Sequence, residues 1–196
     1  MRRAAGAHLS ARIAQPGAAL IVVDVQNDFL PGGALAVPRG EEVIAPLNDY
    51  LGQFEQRHLP VFVTRDWHPP RHCSFRDQGG PWPSHCVAGT RGADFAPGLR
   101  VPAGAHVVSK ATGPEADAYS GFQGTDLAAQ LRRLGIRRVM VGGLATDYCV
   151  RATVLDALAA GFGVVVLADA VRAVELRPGD GSRALADMRA QGAQIA

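Results

Sequence analysis

The stretch Arg138-Val139-Met140-Val141-Gly142-Gly143-Leu144-Ala145-Thr146-Asp147-Tyr148-Cys149-Val150, read on to Ala160, passes from one periodicity to another. Arg138 to Val141 is a short apolar run rich in β-branched residues, the composition of a buried strand. Two glycines end it. Val150, Val154, Leu155 and Leu158 then recur at the spacing of a helix with one buried stripe, and Thr146 stands where an N-cap belongs. A strand handing directly to a helix is half of a βα repeat.

The same alternation extends in both directions. Ala19 to Val23, Val61 to Thr64, His106 to Ser109 and Gly163 to Leu167 read as further strands, with a short last one at Ala193 to Ile195. Helical patterns occupy Glu41 to Gln56, Thr125 to Leu134, Thr146 to Ala160 and Gly179 to Gln191. The 23 glycines and 13 prolines fall mainly between these elements. The pattern predicts an α/β fold: a single-domain, mostly parallel six-stranded open sheet with helices on both faces. A chain of 196 residues suits one such domain, expected over 18–196 behind a flexible N-terminal segment at 1–17. Met1 to Arg12 is Arg-rich and lacks acids, as transit segments and twin-arginine leaders do. It is read here as a frayed terminus, because the first apolar run, Ala18 to Val23, is short and leads straight into an acid.

In such sheets ligands bind beyond the carboxyl ends of the strands. The polar residues there are Asp24, Asp66 with His68, Lys110, the Gly142–Thr146 loop and Asp169. Cys149 would sit in the first turn of its helix, where unpaired N–H groups and the helix dipole favour a thiolate and can bind an oxyanion. A buried, inert cysteine is the alternative. Asp24 and Lys110 each follow an apolar strand at the same edge, where a charge is costly unless paired. Paired, the lysine keeps the carboxylate oriented and the carboxylate can take a thiol proton.

A second constellation lies in Asp66-Trp67-His68-Pro69-Pro70-Arg71-His72-Cys73-Ser74-Phe75 and Trp82-Pro83-Ser84-His85-Cys86. Asp66 and His68 are two apart at a strand end, so both side chains aim to one side. Pro69 and Pro70 stiffen the return to His72, and His85 could supply a fourth ligand. Imidazole and carboxylate suit Zn, Fe, Mn or Co. Cys73 and Cys86 each follow a histidine directly and are read as packing residues, since adjacent side chains on extended backbone diverge.

Charge is nearly balanced, 20 basic against 18 acidic residues for a net +2, so neither a nucleic-acid nor a membrane footprint is expected and a small molecule is the likelier partner class. Three cysteines argue against a disulfide framework and for a reducing, cytoplasmic compartment. Nothing in the sequence separates a monomer from a homo-oligomer.

Six ordered motifs, Asp24 to Gly33, Asp66 to Phe75, Trp82 to Thr90, Ser109 to Thr112, Asp117 to Phe122 and Gly142 to Arg151, resemble the nicotinamidase (pyrazinamidase) branch of the isochorismatase-like cysteine hydrolases, over about Ala19 to Ala170. The resemblance implies a triad of Asp24, Lys110 and Cys149, and one divalent ion (Zn, Fe or Mn) held by Asp66, His68, His72 and His85. It implies a cis peptide between Leu144 and Ala145, with the N–H groups of Ala145 and Cys149 as oxyanion hole. Phe29, Trp82 and Tyr119 look like pocket walls, although aromatic residues in general also serve as core. Gln26 and Asp28 flank the aspartate and read equally as positioning or turn-capping residues. The activity implied is hydrolysis of nicotinamide to nicotinate and ammonia through a cysteine thioester. Two alternatives remain open on sequence: a related cysteine hydrolase acting on another small amide or ureido compound, and a metal-binding or regulatory domain that has lost the activity.

Overall fold

The computed structural model of the protein describes residues 14–196. Six strands, β1 (Ala18–Val23), β2 (Val61–Asp66), β3 (His106–Lys110), β4 (Arg138–Leu144), β5 (Gly163–Arg172) and β6 (Gln194–Ile195), form one sheet in the order β3-β2-β1-β4-β5-β6. All the pairings are parallel, beyond the mostly parallel sheet expected. β2 and β3 run on to Asp66 and Lys110, which are register partners across the ladder, so the strands end on charges that neutralise one another.

Four helices cover the sheet: α1 (Ile44–Gln56), α2 (Leu127–Arg133), α3 (Arg151–Ala159) and α4 (Asp180–Ala190). Every residue of the central strand β1 is buried, as a strand with helices on both faces requires. Its alternate side chains enter two cores. Leu20 and Val22 pack with Leu47, Leu51 and Phe54 of α1, whereas Ala19, Ile21 and Val23 belong with Leu127, Val154 and Met188 of the other three helices. Each buried aliphatic side chain contributes ~2 kcal/mol of transfer free energy. The one-against-three division follows from right-handed crossovers: α1 carries the chain outward from β1 to β2, and every crossover after β3 runs in the opposite direction across the sheet.

Between β2 and β3, residues 67–105 form no α-helix and only two 3₁₀ turns, Arg76–Gln78 and Arg91–Ala93. The strand order reverses between β1 and β4, which opens a crevice at their carboxyl ends. Gly143 makes the close approach there. Its φ is +122°, and a Cβ would overlap the backbone of Val23.

Of the expected flexible segment 1–17, residues 1–13 lie outside the described residues, and with them the reading of Met1 to Arg12. Ala14 is buried in the α1-side core, and the Gly17 carbonyl accepts from the N–H groups of Arg137 and Arg138. Among the described residues no helix is long and apolar enough to cross a membrane.

Candidate active site and metal centre

The loop after β4 differs locally from the expectation for Thr146. Ala145 is the N-cap, in extended conformation (φ −97°, ψ 149°), and no side chain caps the turn. Thr146–Val150 is a π-helical turn rather than the first turn of an α-helix, with the Ala145 carbonyl accepting from both Tyr148 and Val150 N–H. The Leu144–Ala145 peptide is cis.

Cys149 lies at the crevice, with Asp24 and Lys110 buried behind it at 0% and 1% exposure. Lys110 Nζ sits 3.0 Å from Asp24 Oδ2, 3.5 Å from Cys149 Sγ and 3.1 Å from the Ala118 carbonyl, and it also donates to Asp66 Oδ1. A carboxylate oxygen of Asp24 comes within 4.8 Å of Cys149 Sγ. Asp24 itself has a φ of +49°, in the left-handed region. Thr64, whose hydroxyl donates to Asp24 Oδ1 at 2.6 Å, was not singled out from sequence. A hydroxyl at the end of an otherwise apolar strand beside β1 was the available signal.

Burial dominates the electrostatics of this set. Burial pushes the Cys149 thiol well above its ordinary range; Lys110 opposes this, and Asp24 and Asp66 add to it. Burial also raises Asp24, against the pull of Lys110 and the Thr64 hydrogen bond. Burial would lower Lys110, but Asp24 and Asp66 hold it well above its usual value. Burial, with the two nearby acids adding to it, thus works against the thiolate that the helix terminus and Lys110 favour.

The metal-ligand residues are brought together in part. One ligand atom each from Asp66, His68 and His85 falls in a set mutually within 4.8 Å. Asp66 Oδ2 is 3.8 Å from His68 Nε2, inside the ~4.2 Å that two ligands on one ion of ~2.1 Å bond length can span. His68 Nδ1 faces the Ala111 carbonyl at 3.3 Å, and His85 Nδ1 faces that of Pro83 at 2.8 Å. These contacts place the ring protons on Nδ1 and leave each Nε2 as the lone-pair donor. His68 Nε2 is buried with no hydrogen-bond partner. Burial, with His85 and His72 close by, lowers the His68 pKa to about 3, so the ring is neutral as a ligand must be. An orphaned buried nitrogen beside a second imidazole and a carboxylate fits a divalent ion.

His72 departs from the four-ligand expectation. Its Nδ1 is engaged by the Ser74 hydroxyl (2.7 Å) and backbone N–H (3.3 Å), and its Nε2 faces the Ala116 carbonyl at 3.3 Å. The ring packs against His68 with centroids 4.2 Å apart.

Both constellations meet in one cavity, lined by Asp66, His68 and His85 on one side and by Ala145 and Cys149 on the other. Phe29, Trp82 and Tyr119 line it as well. Trp82 Nε1 donates to Tyr119 Oη at 2.9 Å, and both rings lean on Tyr148. Tyr148, Asp117, Leu35, Val37 and Val174 complete walls that sequence reasoning missed; only Tyr148, next to Cys149, carried a positional hint. Gln26 is a positioning residue: its amide donates to the carbonyls of Asp66 (2.8 Å) and Ala93 (2.9 Å) and accepts from Asp66 N–H (2.8 Å).

A parallel α/β sheet whose switch point holds a buried cysteine, a carboxylate and a lysine is the scaffold of a cysteine hydrolase. The isochorismatase domain family matches residues 18–196, and the chain belongs to it, within the nicotinamidase/pyrazinamidase branch. It is 40% identical over 201 residues to the nicotinamidase of Escherichia coli (strain K12), covering 92% of this chain and 94% of that one. The pyrazinamidase of Pyrococcus horikoshii, solved in complex with zinc, superposes with a TM-score of 0.89 at 52% identity, over 92% of this chain and 99% of that one. A protein of L. infantum solved in complex with nicotinate gives a TM-score of 0.83 at 39% identity, over 91% of each chain.

Proposed function

We propose that this protein is a nicotinamidase, an amidohydrolase that converts nicotinamide to nicotinate and ammonia through a thioester on Cys149. The observation that carries the reading is one aromatic-walled cavity lined by Cys149, with Asp24 and Lys110 buried behind it, and by Asp66, His68 and His85.

Asp24 takes the thiol proton as Cys149 Sγ attacks the amide carbon. The C=O electron pair moves to oxygen, and the N–H groups of Ala145 and Cys149 receive the oxyanion, a form of stabilisation worth ~3 kcal/mol per donor. As the tetrahedral adduct collapses, Asp24 returns the proton to the departing nitrogen and ammonia leaves. Asp24 then takes a proton from water, the hydroxide forms the new C–O bond, the C–S bond breaks, and Asp24 returns its proton to the departing sulfur, regenerating the thiol and the free base. Lys110 steadies both states, since its ammonium reaches the Asp24 carboxylate and the sulfur together. Because burial raises the thiol above its ordinary range, removing its proton is part of the reaction and needs a base beside the sulfur. Asp66, His68 and His85 would hold a divalent ion, which would supply a Lewis acid to the pyridine nitrogen or to water.

Ammonia release from nicotinamide tests the activity directly. Substrate choice tests the site: nicotinamide is expected to exceed benzamide, which lacks the ring lone pair, by more than the ~10 to 200-fold attributable to one methylene. Values of kcat/KM within about fivefold, ~1 kcal/mol, would remove the ring nitrogen from the recognition.

His68→Ala is expected to abolish stoichiometric metal binding, because Nε2 is the orphaned donor at the centre of the cluster. His72→Ala should retain more, since both ring nitrogens already have protein partners. Metal analysis of the two purified variants decides; equal loss would make His72 a ligand after all.

A further inference from the structure

Asp28 lies at the bottom of the site without touching the cavity. Its Oδ2 accepts from the backbone N–H of Cys86 at 2.7 Å, and its Oδ1 accepts from that of Ala34 at 3.2 Å. Its carbonyl accepts from Leu35 N–H at 2.9 Å. One residue thus ties two separate loops to the segment that follows β1. The first, through Leu35 and Val37, forms part of the cavity wall. The second carries His85, whose successor Cys86 is buried in a left-handed conformation with φ +46°. A non-glycine residue in that region needs its surroundings to hold it there. The Asp28 carboxylate does so from the amide side, while the Cys86 carbonyl accepts from His68 N–H at 3.0 Å. Gly92 presses on the same carboxylate from the third side: a Cβ there would overlap Asp28 Oδ1 and Oδ2, and Gly92 has no positive φ of its own to demand glycine.

We propose that Asp28 is a positioning residue for the metal centre, fixing the Cys86 amide so that His85 is presented to the ion beside Asp66 and His68. This rests on the reading of His85 as a ligand. The carboxylate has two acceptor oxygens for two amide donors, whereas an asparagine has one acceptor and must turn its NH₂ toward one of them. The bond lost leaves a backbone N–H unpaired and the left-handed turn unsupported. A second residue acting through a ligand in this way commonly accounts for a 10 to 100-fold change in metal affinity.

The test is the zinc dissociation constant of the full chain, measured by competition with a chelating dye, with thermal unfolding of each metal-free protein as control. Asp28→Asn and Gly92→Ala should each weaken zinc by about tenfold or more at a temperature where both are folded. Gly92→Ala keeps the carboxylate and only displaces it, so it decides the matter should Asp28→Asn not fold. Zinc affinity within about twofold of wild type in a folded variant would overturn the proposal, because a merely structural role lowers the unfolding temperature and leaves affinity alone. His85→Ala separates the two claims. Loss of zinc there with wild-type affinity in Asp28→Asn and Gly92→Ala refutes the positioning role alone, and wild-type affinity in His85→Ala refutes the ligand reading beneath it.

Discussion

Cys149→Ala is expected to lower kcat on nicotinamide by at least ~10⁴-fold, about 5.4 kcal/mol of barrier, while bound metal per chain stays at the wild-type level. Its removal leaves no second thiol at the cavity: the other free cysteines, Cys73 and Cys86, lie outside the cavity lining, and burial raises Cys86 far above the range of a usable thiol. The metal set draws on Asp66, His68 and His85, which come from β2 and the loop after it, whereas Cys149 is carried by the π-helical turn after β4. Parallel measurement of ammonia release and metal content checks both halves. Metal loss equal to the activity loss would show that the two sets are not separable.

Asp24→Asn should be nearly as severe, ~10² to 10⁴-fold in kcat, because one group serves as base in both half-reactions and burial raises the thiol it faces above its ordinary range. The variant should fold. The Thr64 hydroxyl can reverse and accept from the new amide, leaving the amide oxygen to face Lys110, and Lys110 keeps its ion pair with Asp66. Retention of more than a tenth of wild-type kcat, only ~1.4 kcal/mol, would take the base role away from Asp24.

The parts of the protein legible in sequence are those whose physics is local. Ala19 to Val23 and Gly163 to Leu167 announce strands because β-branched residues in a buried sheet need no partner information to be recognised. Asp24, Asp66 and Lys110 stand out for a related reason: a charge at the end of such a run is expensive and must have a use. The cluster of histidines in the block after β2 was visible by density alone. What was hidden depends on distant chain. Thr64 matters only through Asp24, which follows β1, the Cys149 thiol is pushed up by burial beneath distant chain, and the turn at Thr146 takes a π rather than an α form. The orientation of His72 is decided by Ser74 and Ala116, hydrogen bonds that no spacing rule foretells. Val174, Leu35 and Val37 carry no chemistry and reach the cavity by tertiary folding only.

The crossover between β2 and β3, residues 67–105, has one consequence for how the molecule comes apart. Asp24 and Cys149 are rooted at the ends of the two central strands, whose ladders are flanked on both sides and open only when the whole domain does. His68 and His85 hang on a segment without an α-helix, closed by scattered backbone contacts and side-chain clamps. Amide hydrogens there should exchange with solvent well before those of β1 and β4. On warming, the ligand loop should therefore loosen while the nucleophile and its base are still in place, giving a temperature interval in which the protein is compact, cysteine-competent and unable to hold its ion.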